Sequence, residues 1–370
     1  MTPHQRLPAS LTPLDAALAM LLDGVEAVPP AELALADALH CIAAEMPPLQ
    51  AYPLRDTASI DGYALCARDL VGASSYSPLP LMAAPAWVEA GEAIPEACDC
   101  VLDSDAVDMS GPMLQVLAEA IPGQGVRRAG SDITGGSLVV EAGQRVLSYD
   151  LLMARAAGLE RLNVRRPRLR VVNVPGGRAT AALITESACA IGAEVISFTA
   201  AGRDAESIGA ALDERACDLL LIVGGSGVGR TDATVTALTA RGKILAHGIA
   251  LQPGRTAAIG RVGKTPVVVL PGAPDQALAA WWTLALPVLD RLSGRVPRKK
   301  VNLPLARKIA SQVGIAEIVL VERKQDMWST LAVGELSLEA IARAEAWLAV
   351  SGGSEGFAAG SPVGAYLLRE

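Results

Sequence analysis

From residue 168 to residue 292 the chain alternates short, continuously apolar runs with longer stretches whose apolar positions recur every three or four residues. The runs at 169–174, 193–198, 217–223, 257–261 and 266–270 predict strands; the periodic stretches at 180–191, 204–215, 231–241 and 275–292 predict helices. Strands apolar on both faces must be covered by helices on both sides. The block therefore predicts a doubly wound, mostly parallel α/β sheet whose ligands bind at the carboxyl ends of its strands.

The flanking regions read differently. Thr12 can cap a helix that has Pro13 at its first position and apolar residues through 22, and a second helix is predicted over 33–41. The proline-rich stretch 47–54 predicts a connection into another module. Between 61 and 121, β-type runs at 79–82, 87–89, 99–102 and 113–117 are separated by Gly, Pro and Ser, which predicts a small inserted β-domain. Residues 126–133 read as mixed structure and 149–159 as a helix. Beyond the proline-broken basic run 295–300, which reads as a solvated linker, the segment 304–368 mixes β-type runs at 317–321 and 364–368 with a helix at 338–347.

Composition narrows the function classes. A chain of 370 residues is long enough for two to four domains. Its mean hydropathy is +0.35, yet no apolar run approaches the roughly 20 residues of a membrane span. With no secretory h-region among the first residues, the expectation is a soluble, cytoplasmic protein with no membrane partner. A net charge of −7 argues against nucleic acid as a partner. The six cysteines and three histidines are too scattered for a metal cage, and Cys98 and Cys100 read as buried reduced thiols.

The strongest candidate chemistry follows the run 219–223. Gly224, Gly225, Ser226, Gly227 and Gly229 form a turn of small residues leading into a helix, with Asp232 close behind. Glycines admit a ligand to backbone amides, and a helix N-terminus favours negative charge, so the turn predicts an anion site, most simply for phosphate. The residues of a dinucleotide fingerprint or a Walker loop are absent.

Three further motifs accompany it in order: Asp61-Gly62-Tyr63-Ala64, Gln252-Pro253-Gly254-Arg255 and Leu270-Pro271-Gly272-Ala273-Pro274. Together the four resemble the MoeA family of molybdopterin molybdotransferases, which includes the E domain of gephyrin, over about Leu11 to Leu367. The resemblance implies a multi-domain α/β chain. A discontinuous helical and mixed domain would occupy 1–52 and 123–166, an inserted β-domain 53–122, a Mog-like doubly wound domain 167–294 and a C-terminal β-rich domain 295–370. It also implies a homodimer and a pterin ligand, molybdopterin or its adenylylated form, into which molybdate is inserted with Mg2+. A molybdoenzyme or another cofactor-biosynthesis protein would be a partner.

On the same footing, Gly224, Gly225, Ser226, Gly227, Gly229, Gly272 and Ala273 would cradle the ligand, Arg255 would neutralise its phosphate, and Asp61 and Asp232 would serve catalysis and hold the metal. Plainer readings stand beside these: an Asx-turn for Asp61, and a helix cap for Asp232 and for Asp204.

The chain departs from the family pattern in several places. Gln252 and Arg255 replace lysines, Ala273 replaces an asparagine, and Ala90 replaces a threonine. The family's T-G-D-E-L segment and the excursion after it shrink to Val174-Pro175-Gly176-Gly177-Arg178, which removes a glutamate of the metal site and installs a cation. Arg178 would repel magnesium or attract molybdate or phosphate. Two readings follow, a molybdotransferase with weak or absent magnesium-dependent insertion, and a non-catalytic pterin-binding paralogue acting as carrier, chaperone or regulator.

Overall fold

The structure is a computed structural model and describes residues 5–111, 113–213 and 217–368. It divides into two compact units, one made of Met1–Glu45, Ala142–Val146 and Arg161–Glu370, the other of Met46–Glu141 and Leu147–Glu160.

The doubly wound sheet lies in the first unit. Its strands are β1 (Arg168–Asn173), β2 (Glu194–Thr199), β3 (Leu219–Val223), β4 (Lys243–His247), β5 (Ala258–Val262) and β6 (Thr265–Leu270), in the order β2-β1-β3-β6-β5-β4. The first four of that order run parallel, and β5 and β4 extend the sheet antiparallel. All of β3 is buried because its alternate residues enter two different cores. Leu219, Leu221 and Val223 pack with Ile184 of α1 (Arg178–Cys189); Leu220 and Ile222 pack with Ile208 of α2 (Ala205–Ala211) and Leu238 of α3 (Thr234–Arg241). This is the period-two pattern of a strand covered on both faces. The single helix expected over 275–292 is instead α4 (Pro274–Ala280), a π turn at Trp281–Ala285 and α5 (Leu286–Ser293). Pro287 has no N–H to donate, and the helical ladder widens just before it.

Three local expectations fail where long-range pairing overrides local signals. Thr12 caps nothing: Thr12–Pro13 pairs in parallel with Ile249 and Ala250, and the helix Leu14–Leu22 begins after it without a side-chain cap. The helix expected over 33–41 shrinks to Leu35–Ala38, because Ala31–Ala34 pairs with Arg161–Arg165. The helix beginning at Leu338 ends at Arg343, and Trp347 lies in the strand Ala346–Val350, stacked on Trp282 at 5.3 Å. The helix expected over 204–215 is α2, which ends at Ala211 with Leu212 as its C-cap; 214–216 lie outside the described residues.

A second, seven-stranded sheet of this unit carries the C-terminal strands. It recruits Ile249–Gln252 and Thr12–Pro13 at one end. In the other unit the expected short strands form, with Gly62–Leu65 between Ala86–Val88 and Cys100–Leu102, and Ser74–Pro80 paired with Gln115–Ala118. Leu65, Leu70, Cys100, Leu102 and Val116 make its small core.

Candidate functional site

The chain leaves β1 for β2 on one side and returns to β3 on the other, so the strand order reverses between β1 and β3. A crevice outside the carboxyl ends of the strands opens at such a point. Three turns border it, 174–177 after β1, 224–229 after β3 and 271–273 after β6. They are bonded to one another or to neighbouring strands: Val174 N donates to Val223 O at 2.9 Å, Gly224 N to Leu270 O at 2.8 Å, and Thr180 Oγ1 to Gly272 O at 2.7 Å.

The glycines of the turn after β3 serve two different needs. Gly224 and Gly225 have φ of +99° and +69°, and a Cβ on Gly225 would run into Thr234 Oγ1, which donates to Gly224 O at 2.8 Å. Gly227 and Gly229 instead make room for a carboxylate, since a Cβ on either would lie 2.6 or 2.9 Å from Asp232 Oδ2. Gly272 packs differently. A Cβ there would meet Gly224 Cα at 3.7 Å, an ordinary contact.

Two side-chain polar atoms at these strand ends and turns are buried without a partner. Asn173, the last residue of β1, is 8% exposed and its Oδ1 accepts no hydrogen bond; Ser226 is 1% exposed and its hydroxyl has none either. Each such group costs about 1–3 kcal/mol, an expense retained where a ligand completes the bonding. The backbone beside Ser226 is held in place, with His247 Nε2 2.9 Å from Ser226 O.

Which helix end is open differs from the sequence expectation. The terminus after the glycine turn, that of α3, is already capped: Val235 N and Thr236 N donate to Gln5 Oε1 at 2.8 and 3.4 Å. Gln5 Nε2 donates in turn to Gly225 O at 3.0 Å and Gly227 O at 2.8 Å. Of the uncapped termini of α1 and α4, only that of α1 has no acid in its first turn; its N-cap is Gly177 and its first residue is the exposed Arg178. A dipole end and a cation together favour an anion there. Nothing local in the sequence marks Gln5 as a cap, since its partners lie more than two hundred residues away. Replacing Gln5 by Ala strips the α3 cap and is expected to cost about 1–2 kcal/mol, read as a lower urea midpoint; an unchanged midpoint would show the contact to be idle.

Asp232 does not face a vacant cradle. Its Oδ1 is 3.1 Å from Arg203 NH2 and its Oδ2 accepts from Gly229 N at 2.9 Å. Asp204 caps α2, accepting from Ser207 N at 2.8 Å and Ser207 Oγ at 2.7 Å, bonds that hold its carboxyl below the ordinary range. Ala273 is the N-cap residue of α4. Arg255 is exposed and lines a separate cavity of about 660 Å³ with Gln252, Asp275, Glu335 and Ser337, whose walls include none of 224–229. Asp61 belongs to the other compact unit. It is exposed, and its Oδ1 accepts from Ala90 N at 2.8 Å. The strand after it needs Gly62, because a Cβ there would strike Leu102 O. A larger cavity of about 1240 Å³, walled in part by Trp282, Trp347 and Tyr366, contains none of the predicted site residues.

Cys41, Cys100 and Cys217 are buried, Cys66 and Cys98 half-buried, and Cys189 exposed. Burial, aided at Cys100 by Asp99, pushes the Cys100 and Cys217 thiols up to about 11. Thiolate is the reactive form, so iodoacetamide at pH 8 is expected to label Cys189 in the native protein and spare Cys100 and Cys217. Peptide mass spectrometry checks this, and equal labelling would contradict the buried assignment.

The carboxyl ends of the parallel strands thus gather an uncapped helix terminus, a cation and two unpartnered polar atoms in a doubly wound α/β domain. Comparison with known proteins agrees in class. Residues 12–158 match the family described as MoeA N-terminal region (domain I and II), and residues 177–291 match "Probable molybdopterin binding domain". Molybdopterin molybdenumtransferase 2 of Mycobacterium tuberculosis is 31% identical over 283 residues, 65% of this chain and 70% of the relative. The molybdopterin molybdenumtransferase of Synechococcus elongatus is 25% identical over 355 residues, 84% and 87% of the two chains. Among solved structures, the molybdopterin biosynthesis moea protein of Pyrococcus horikosii superposes with a TM-score of 0.69 at 26% identity, covering 98% of this chain and all of that one. The chain belongs to the MoeA family of molybdenum-cofactor biosynthesis proteins.

Proposed function

We propose that this chain is a molybdopterin molybdotransferase that takes its pterin ligand in the crevice between β1 and β3. The observation that carries the reading is the pair of buried, unpartnered groups, Asn173 Oδ1 and Ser226 Oγ, in a domain matched to molybdopterin binding. A pterin ring offers both donors and acceptors along one edge, so it can supply the bonds these groups lack. The terminal phosphate, or the pyrophosphate of the adenylylated form, then lies at the uncapped end of α1 beside Arg178. Molybdate is the second substrate.

Magnesium does not fit Asp232 and Asp204, and among the described residues no group of three or more His, Cys, Asp or Glu side chains could hold a metal ion. A hard divalent cation needs several oxygen ligands, whereas both oxygens of Asp232 are engaged and Asp204 is spent on Ser207. The same engagement of Asp232 favours a second reading, a pterin carrier that inserts no metal. Complementation separates the two: expressed in a bacterial strain lacking its molybdotransferase, the transferase restores molybdoenzyme activity and the carrier does not.

The protein works as a homodimer in the cytoplasm under this reading. Among the described residues no helix is long and apolar enough to cross a membrane. Light scattering at micromolar concentration is expected to give about twice the 38.1 kDa chain mass. A monomer mass would contradict the dimer.

A further inference from the structure

We propose that the positive charge of this site is built into the chain as the Arg203 guanidinium, so that a phosphate-bearing ligand binds without a divalent cation at Asp232. The inference rests on the pterin-binding reading above and names the residue that sets its metal requirement.

Arg203 follows β2 and reaches the turn after β1 and the segment just beyond the turn after β3. Its NH1 donates to Pro175 O in the turn after β1, its NH2 donates to Asp232 Oδ1 at 3.1 Å, and its Nε donates to Thr231 Oγ1 at 3.2 Å. The guanidinium plane is thereby fixed by three contacts from two loops. An arginine carries five N–H donors. These contacts use Nε and one hydrogen on each terminal nitrogen, which leaves one donor on each terminal nitrogen. The side chain is 38% exposed.

The surrounding backbone is shaped to this side chain. Gly176 holds φ at +107°, and a Cβ there would lie 2.9 Å from Arg203 NH1. Gly227 and Gly229 admit the Asp232 carboxylate that Arg203 pairs with. With Oδ2 of that carboxylate accepting from Gly229 N and Oδ1 paired with the guanidinium, a divalent cation approaching Asp232 meets a fixed positive charge about 3 Å from the oxygen it would bind. A covalently attached cation needs no recruitment from solution, and a planar guanidinium suits phosphate oxygens.

The test uses molybdopterin released anaerobically from a molybdoenzyme, titrated into the full chain with EDTA and with millimolar Mg2+. Arg203→Ala and Arg203→Lys are treated alike, their folding checked by circular dichroism and thermal midpoint. The parent is expected to bind equally in both media. Arg203→Ala is expected to bind roughly tenfold more weakly in EDTA and to recover in part with Mg2+, because Asp232 is then uncovered; Arg203→Lys, which keeps the charge and loses the fork, falls between. Parent affinity that rises about tenfold with Mg2+, or an Ala variant equal to the parent in EDTA, overturns the proposal and leaves the pterin reading standing. A parent that binds no molybdopterin in either medium overturns both. Should Arg203→Ala not fold, the parent's two media and the Lys variant carry the decision.

Discussion

A Gly225→Ala variant is expected to lose about 2–4 kcal/mol of unfolding free energy together with all measurable molybdopterin binding. The methyl group is placed on a residue with φ of +69° and driven into Thr234 Oγ1. Relief requires moving a buried hydroxyl off Gly224 O, which leaves both groups unpaired at the point where the glycine turn joins α3. Gly272→Ala is the matched control, because its Cβ meets Gly224 Cα at 3.7 Å and its φ is not positive. It is expected to keep the parent's urea midpoint and weaken binding by crowding the crevice. If Gly225→Ala kept both stability and binding, the turn would be neither strained nor part of the site.

Replacing Asn173 by Leu is expected to move stability and binding in opposite directions. An apolar side chain of similar size removes an acceptor that is buried without a donor, so the variant should be as stable as the parent or more so by about 1 kcal/mol. Molybdopterin affinity should fall about tenfold or more, since a site built to bond a ligand group loses that bond. Calorimetric titration beside thermal unfolding reads both. Stability lost without any change in affinity would mean that Asn173 is a structural residue whose partner lies in the protein.

The signals legible in the sequence were the local ones. The apolar run of β3 is a buried strand because each of its residues enters a core, and such a run has no other stable place in a folded chain. The glycines at 224 and 225 marked a turn at its carboxyl end, and the positive φ of both supplies the reason. Arg178 stood out as a cation in an unexpected position, and it does open a helix with no acid in its first turn. The failures share a cause. Thr12 and Pro13 carry helix-start signals worth about 1 kcal/mol, and parallel pairing with Ile249 and Ala250 outweighs them, as the pairing of 31–34 with 161–165 outweighs the helix read over 33–41.

The sequence by itself determined the family and the doubly wound sheet, because hydrophobic period and motif order are properties of neighbouring residues. Only the tertiary structure decided how the site is furnished. It brought Gln5 onto the α3 terminus, turned Arg203 onto Asp232, and left Asn173 and Ser226 without partners. Each of these depends on side chains from separate loops meeting at one point in space. Their spacing along the chain carries no trace of that meeting, since it is set by how the strands are ordered and not by any local preference of the residues involved.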